Sequence, residues 1–100
     1  MADEAPKQRQ IPIKVTDDIV GGVYSNHMVV SHTREEFFLD FFSMLPEAGK
    51  LSARVIVSPG HMKRIARALT ENISRYEQRH GTITEAQEPS GGAGMGGPVH

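Results

Sequence analysis

Several kinds of residue and segment are scarce or absent in this chain of 100 residues. It has no cysteine, so neither a disulfide nor a thiolate metal site can stabilise it. No apolar run approaches the roughly 18 residues of a membrane span, and residues 1–10 are too polar for a signal peptide. The formal net charge is only −1, which argues against a strongly electrostatic nucleic-acid binder. We therefore expect a soluble cytoplasmic protein with no membrane partner.

The length and the two polar ends limit the ordered part of the chain. One hundred residues are enough for one domain at most. Residues 1–10 are predicted to form a disordered arm, and the glycine- and proline-rich residues 84–100 a flexible tail. A single domain over residues 11–83 can bury only a small core, and domains of that size usually need a stabilising partner.

The most regular pattern lies between Leu51 and Gly81. Residues 51–57 alternate in the manner of a strand and are rich in β-branched side chains. Ser58 is a good helix N-cap, and Pro59 suits the first helical position. The apolar residues then follow the helical period in one stripe, made of Met62, Ile65, Ala66, Leu69, Ile73 and Tyr76. Because Gly81 suits a helix end, a strand is predicted to run directly into a long helix.

Three further strands are predicted before this unit. Residues 11–15 alternate and include Pro12, which favours an edge strand, and residues 23–32 have strand composition. Residues 37–45 are ambiguous, because a capping-box pattern just before them favours a helix, whereas their aromatic content and hairpin-length flanking loops favour a strand. The strand interpretation gives an α+β fold, an antiparallel meander of about four strands followed by one long C-terminal helix.

The aromatic segment and the strand before it carry apolar side chains on both sides. A single helix can cover only one face of the predicted sheet, and monomers rarely leave large apolar patches in water. We therefore expect a homo-oligomer, most simply a two-fold dimer formed through the sheet. The alternative is a monomer in which the aromatic segment is a second helix that covers the sheet. The predicted apolar contact surface consists of Tyr24, Met28, Phe38, Phe42 and Met44.

The sequence contains no recognisable catalytic or cofactor-binding motif. No two histidines have the spacing of metal ligands on one element, and the glycines of the tail are not followed by the lysine of a phosphate-binding loop. Asp40 is the one charged residue in the aromatic segment, and a structural ion pair with Arg54 on the neighbouring strand is favoured over a catalytic role. We expect no catalytic residue, no metal, no cofactor and no enzymatic activity.

The polar face of the predicted helix is basic. Arg67 and Glu71, and likewise Glu71 and Arg75, are spaced as ion pairs one turn apart. The basic residues of this face outnumber Glu71 and Glu77, and the cluster of Lys63, Arg64 and Arg67 gives candidate contacts for an anionic partner. A single-stranded nucleic acid that stacks on the aromatic residues is the alternative partner, and the small net charge ranks it second.

The combination of short motifs over residues 11–83 resembles a small bacterial family of unknown function. The motifs that carry this resemblance are Tyr24-Ser25-Asn26, Val30-Ser31-His32-Thr33, Glu35-Glu36-Phe37, Leu39-Asp40-Phe41, Ser58-Pro59, His61, Lys63-Arg64, Glu71-Asn72-Ile73, Tyr76-Glu77 and Gly81. The resemblance implies a strand at residues 37–44 and brings no known activity.

The predicted strand order is also similar, more distantly, to two groups of oligomeric proteins. These are the SecB-like export chaperones, which bind unfolded chains in apolar grooves, and the Pur-alpha-like single-strand binders. The doubly apolar strands, together with this likeness, favour a non-enzymatic homo-oligomeric module that binds protein or peptide segments on an apolar sheet face or serves as an assembly subunit. Binding of single-stranded nucleic acid through the basic face of the helix is the alternative. Shared topology by itself does not establish a shared function.

Overall fold

A computed structural model describes residues 10–89 of the chain. Along this range, a one-turn helix α1 (Asp17–Val20) precedes three strands, β1 (His27–His32), β2 (Phe37–Met44) and β3 (Gly49–Val57), and a long helix α2 (Pro59–His80) follows them. The α+β class and the C-terminal helix are as predicted from the sequence. The predicted arm and the end of the predicted tail lie outside the described residues.

The three strands form one antiparallel sheet in the order β1-β2-β3, with β2 in the centre. The ambiguous aromatic segment is therefore a strand. Thr33, which the capping-box pattern would place before a helix, instead closes the first hairpin, because its hydroxyl accepts hydrogen bonds from the backbone N–H groups of Glu35 and Glu36. The residue types of a helix cap and of a turn overlap, since both use a short polar side chain to satisfy free backbone donors.

The prediction of four strands is wrong, because residues 11–15 form no strand. Pro12 has no N–H to donate, and Ile11 and Ile13 are 74% and 81% exposed, so this segment has neither a full ladder nor buried side chains to hold it on the sheet. The two acidic residues that follow lie in the first turn of α1, where negative charge is favourable.

The first strand is also shorter than the predicted 23–32. Before His27, residues 25–26 are held to β2 by one backbone hydrogen bond, from the Asn26 N–H to the Phe42 carbonyl at 2.9 Å, and by polar side chains. The Ser25 hydroxyl donates to the Phe42 carbonyl at 3.0 Å. The Asn26 side chain donates to the Met44 carbonyl at 3.0 Å and accepts from the Met44 N–H at 2.8 Å. These bonds attach residues 25–26 to the end of β2 and fix where regular pairing begins.

Local signals at both ends determine the bounds of α2. The Ser58 hydroxyl accepts a hydrogen bond from the His61 N–H at 3.1 Å, so it caps the helix as predicted. Gly81 ends the helix at a φ of 96°, a conformation that glycine adopts without steric cost. No helix within residues 10–89 combines the length and the apolar character needed to cross a membrane.

The core of the described part of the chain is very small. Among residues 10–89, only two apolar side chains are buried, Leu39 and Phe42, and both belong to the central strand. Helix α2 buries none of its residues. The sheet is thus held mainly by its own ladder and by contacts between side chains of neighbouring strands.

Candidate functional site

The strand register divides the sheet into two faces of different character. The first, named the Leu39 face, is formed by Met28, Val30, His32, Phe37, Leu39, Phe41, Ala53, Val55 and Val57. The second, named the Asp40 face, is formed by His27, Val29, Ser31, Phe38, Asp40, Phe42, Met44, Leu51, Arg54 and Ile56. Side chains of directly paired residues lie on the same side of a sheet, which makes these two sets mutually exclusive.

Both faces leave apolar side chains in water. On the Leu39 face, Met28 is 47% exposed and Val55 is 46% exposed. On the Asp40 face, Leu51 and Ile56 have similar exposure, at 47% and 50%. The sequence argument that both sides of the sheet are apolar is therefore correct, and exposed apolar area of this kind often marks a binding surface.

An ion pair occupies the middle of the Asp40 face. The Arg54 guanidinium donates two parallel hydrogen bonds to the Asp40 carboxylate, from Nε to Oδ1 at 2.6 Å and from Nη2 to Oδ2 at 2.8 Å. Asp40 is buried, whereas the Arg54 side chain is 42% exposed and lies 5.7 Å from the centre of the Phe38 ring. The hydrogen bond and the charge of Asp40 raise the pKa of Arg54 above its ordinary value.

This arrangement confirms the predicted structural ion pair. A carboxylate held in a two-bond fork has its charge balanced and its orientation fixed. Such a group anchors β2 to β3. The exposed side of the guanidinium, next to the Phe38 ring, leaves one polar feature on an otherwise largely apolar face.

The five residues of the predicted apolar contact surface do not share one face. Phe38, Phe42 and Met44 lie on the Asp40 face, but Met28 pairs with Phe41 and lies on the Leu39 face. Tyr24 precedes β1 and is 70% exposed. The error arose because the residue numbers give alternation along each strand, whereas the relative position of two strands depends on the hairpin that joins them.

The same five residues also differ in how much they can contact. Phe42 is only 9% exposed, so it belongs to the core more than to a surface. Met44 lies against Gly49, where an added side-chain carbon would stand 2.7 Å from its sulfur. The predicted surface omits Leu51 and Ile56. Strict alternation along β3 would put these two residues on opposite faces, and they share the Asp40 face because the register shifts between Phe41 and Phe42.

The apolar stripe of α2 is exposed along most of its length. Met62 and Ile65, in the first two turns, are half-buried. Leu69, Ile73 and Tyr76 are 58%, 50% and 52% exposed. The expectation that this stripe covers one face of the sheet is wrong for a single chain. The sequence does indicate that the helix is hindered from folding back on its own sheet, because only Ser58 separates the strand from the helix.

The basic residues on the other side of α2 are exposed. Lys63, Arg64 and Arg67 border a shallow depression on the helix surface. Arg64 Nη2 lies 2.8 Å from Nδ1 of His61, one turn earlier. Within residues 10–89 none of these three cations forms an ion pair, and the predicted pairs of Glu71 with its arginine neighbours are absent from the same range.

The histidines do not form a metal site in the described range. His27 Nδ1 lies 3.1 Å from a carboxylate oxygen of Glu88, which is largely exposed. Across residues 10–89 there is no group of three histidine or acidic side chains arranged to hold a metal ion. The described histidines contribute to local contacts, such as the ring pairs of His27 with Phe42 and of His32 with Phe37.

Comparison with known proteins identifies a family and gives no activity. A family model described as a protein of unknown function (DUF3467) matches residues 1–85. No curated protein and no solved structure gives a significant match. The resemblance to a family of unknown function is thereby confirmed. Because this family model covers most of the chain, the chain belongs to the DUF3467 family.

Proposed function

We propose that this protein is a non-enzymatic homo-oligomeric module, which assembles through its sheet and binds protein or peptide segments on an apolar sheet face. The observation that carries the proposal is the distribution of apolar side chains among residues 10–89. Two are buried, whereas exposed ones occur on both sheet faces and along α2. A chain with so little buried apolar surface gains more by covering that surface with a partner than by remaining alone.

The Asp40 face is the better candidate for a peptide partner. Its exposed side chains, Leu51 and Ile56, lie on either side of Arg54 along β3. A peptide bound across them would gain apolar contacts and could offer an acidic or carbonyl oxygen to the exposed side of the guanidinium. Interfaces that combine an apolar centre with an arginine contact are common among proteins.

The likeness to SecB-like chaperones does not extend to the number of strands, so the proposal rests on the exposed apolar side chains. The likeness depends on a predicted order of four strands, and the sheet formed within residues 10–89 has three. The apolar contact residues that remain on the Asp40 face, Phe38 and Met44, are consistent with a groove for an apolar segment. Their contact with a partner is a prediction.

Multi-angle light scattering on the full chain tests the assembly. We expect a mass of at least two chains at micromolar concentration, and a single-chain mass there would contradict the proposal. Peptide binding is tested separately with an array of unfolded-protein peptides. Ile56→Ser is expected to weaken binding, and Leu45→Ser serves as the matched control, because Leu45 is equally apolar and 62% exposed but lies in the second hairpin loop.

The alternative function is binding of single-stranded nucleic acid through the basic side of α2. Its support is the group of exposed cations at Lys63, Arg64 and Arg67, which have no ion-pair partner within residues 10–89. Binding of this kind weakens steeply with salt, because bound phosphates release counterions. A mixed-sequence oligonucleotide titrated at low salt should bind the native chain. It should bind less tightly to a variant in which Lys63, Arg64 and Arg67 are all replaced by alanine. The absence of any binding at low salt would remove this alternative.

A further inference from the structure

The connection between β3 and α2 restricts where the helix can lie. Val57 ends the strand and Pro59 begins the helix, which leaves Ser58 as the whole connection. Connections between a strand and a helix that packs on its own sheet usually contain about two to six residues. Ser58 is in an extended conformation and is held by its hydrogen bond to the His61 N–H. The helix is therefore directed by a short, capped junction and has no loop with which to turn back.

The exposure along α2 agrees with this restriction. The stripe is half-buried at Met62 and Ile65, close to the junction, and is at least half exposed from Leu69 onward. The part of the helix beyond residue 65 extends for about 22 Å at 1.5 Å per residue. An apolar stripe of this length is covered in its own chain only near its beginning.

The Leu39 face has the complementary character. Val30, Leu39 and Val55 are paired across all three strands and form a continuous apolar row, and Met28, Phe41 and Ala53 form the next row. Of the outer members of these rows, Met28, Val30 and Val55 are exposed, and Ala53 is half-buried. The opposite face carries the partly exposed Arg54 at its centre, and an apolar helix placed there would remove the guanidinium from water without replacing its hydrogen bonds. The charge of Arg54 therefore favours the Leu39 face as the surface on which an apolar helix packs.

We propose that the stripe of α2 from one chain packs on the Leu39 face of a second copy, which returns the same contact. This inference deepens, and rests on, the proposed homo-oligomer. A two-fold arrangement of this kind covers both unpartnered surfaces with one repeated contact. Pairing of the two helices alone would leave Met28, Val30 and Val55 in water. The Asp40 face stays open for a further partner.

The area available is near that of a specific interface. A helix surface about 22 Å long and about 10 Å wide, counted on both sides of two symmetric contacts, gives roughly 900 Å² before curvature is included. Specific interfaces generally exceed about 1,000 Å². The estimate therefore lies just below that threshold before the curvature of either surface is counted.

The natural absence of cysteine makes the test direct. Ile73→Cys is co-expressed in the full chain with Val55→Cys, each variant having one cysteine, so that any mixed bond joins two chains. Ile56→Cys is the matched control, because it is the next residue of β3, has nearly the same exposure and lies on the Asp40 face. The purified mixture is treated with oxidised glutathione, which takes up the two electrons and two protons that the pair of thiols gives up. We expect the mixed disulfide dimer to form about tenfold faster or more with Val55→Cys, since a preformed dimer holds the two thiols at a high effective concentration.

Each other outcome overturns the inference in a distinguishable way. Equal or faster bonding to Ile56→Cys would mean that the helix packs on the Asp40 face and not on the Leu39 face. Bonds only between two Ile73→Cys chains would mean that the helices pair with each other. A two-chain mass by light scattering without any mixed bond would refute the inference and leave the proposed homo-oligomer intact, whereas a single-chain mass would refute both. Circular dichroism of each variant verifies that the fold is retained.

Discussion

Replacing Ile73 by alanine should weaken self-association without weakening the helix. Alanine has the higher helix propensity, by a few tenths of a kcal/mol. Ile73 lies in the middle of the exposed stripe and is 50% exposed in the single chain. The substitution therefore removes surface that a partner would cover and leaves the local conformation at least as favourable as before. Any loss of dimer is then attributable to the contact.

The magnitude follows from the exposed fraction. Ile73→Ala removes three carbon groups, each worth about 0.8 kcal/mol when fully buried. Because half of the side chain is already shielded, covering the rest contributes about 1.2 kcal/mol per helix. A symmetric dimer contains two such helices, so the free energy of association should fall by about 2.4 kcal/mol, which corresponds to a dissociation constant raised about 50-fold.

Sedimentation equilibrium over a dilution series measures this constant. Ser74→Ala is the matched control, since Ser74 is the next residue, is exposed, and lies about 100° further round the helix, on its polar side. We expect the control to associate like the native chain. If Ile73→Ala and Ser74→Ala gave the same dissociation constant, the stripe would have no role in assembly.

Three further predictions concern the stability of the fold, measured by urea denaturation at one fixed protein concentration. Leu39→Ala should lower the free energy of unfolding by about 2–5 kcal/mol, because Leu39 is buried, whereas Leu45→Ala in an exposed loop should change it by less than about 0.5 kcal/mol; equal effects would contradict the assignment of the core. Gly81→Ala should destabilise by about 1–3 kcal/mol, because the φ of 96° is strained for any side chain. Gly60→Ala, within α2 and in open space, should instead stabilise by up to about 1 kcal/mol, and a stabilising Gly81→Ala would refute the strain. Arg54→Met should lower the unfolding free energy at neutral pH. The same substitution should have a smaller effect in a chain that already carries Asp40→Asn, because the two residues share two hydrogen bonds. Additive effects of the two substitutions would contradict the pairing. Since the pKa of Arg54 is raised in the folded chain, the stability that its charge contributes is present throughout neutral and mildly alkaline pH. It is lost only as the pH rises through that raised value.

The elements that the sequence predicted well are those determined by neighbouring residues. Helix α2 begins at Pro59 because Ser58 caps it and ends before Gly81 because glycine stops it. The aromatic strand was harder, since Thr33 suits both a helix cap and a hairpin turn. The aromatic content of the segment and the short loops beside it correctly predict a strand.

The elements that the sequence predicted badly depend on distant contacts. An alternating pattern at 11–15 satisfies the local rule for a strand, but no strand among residues 10–89 pairs with it. A pattern along the sequence cannot reveal whether a sheet edge is available. The predicted contact surface contains both Met28 and Phe38, because it assumes that even-numbered residues of the two strands lie on one face. The register, fixed by the hairpin and by the polar bonds of Ser25 and Asn26, places the two on opposite faces.

In the proposed dimer, the single residue between β3 and α2 is what directs the helix to a second chain. A longer connection would let the helix lie on its own sheet, and the chain would then satisfy its apolar stripe alone. Inserting a flexible segment of glycine and serine after Val57 should therefore convert the dimer toward a monomer in which α2 covers the Leu39 face of its own chain. That conversion would keep the same helix–sheet contact while changing which chain supplies it, so the mass would halve and Ile73 would become protected from solvent in the monomer. If the lengthened chain kept the native dissociation constant, the connection would not be what directs the helix to a second copy.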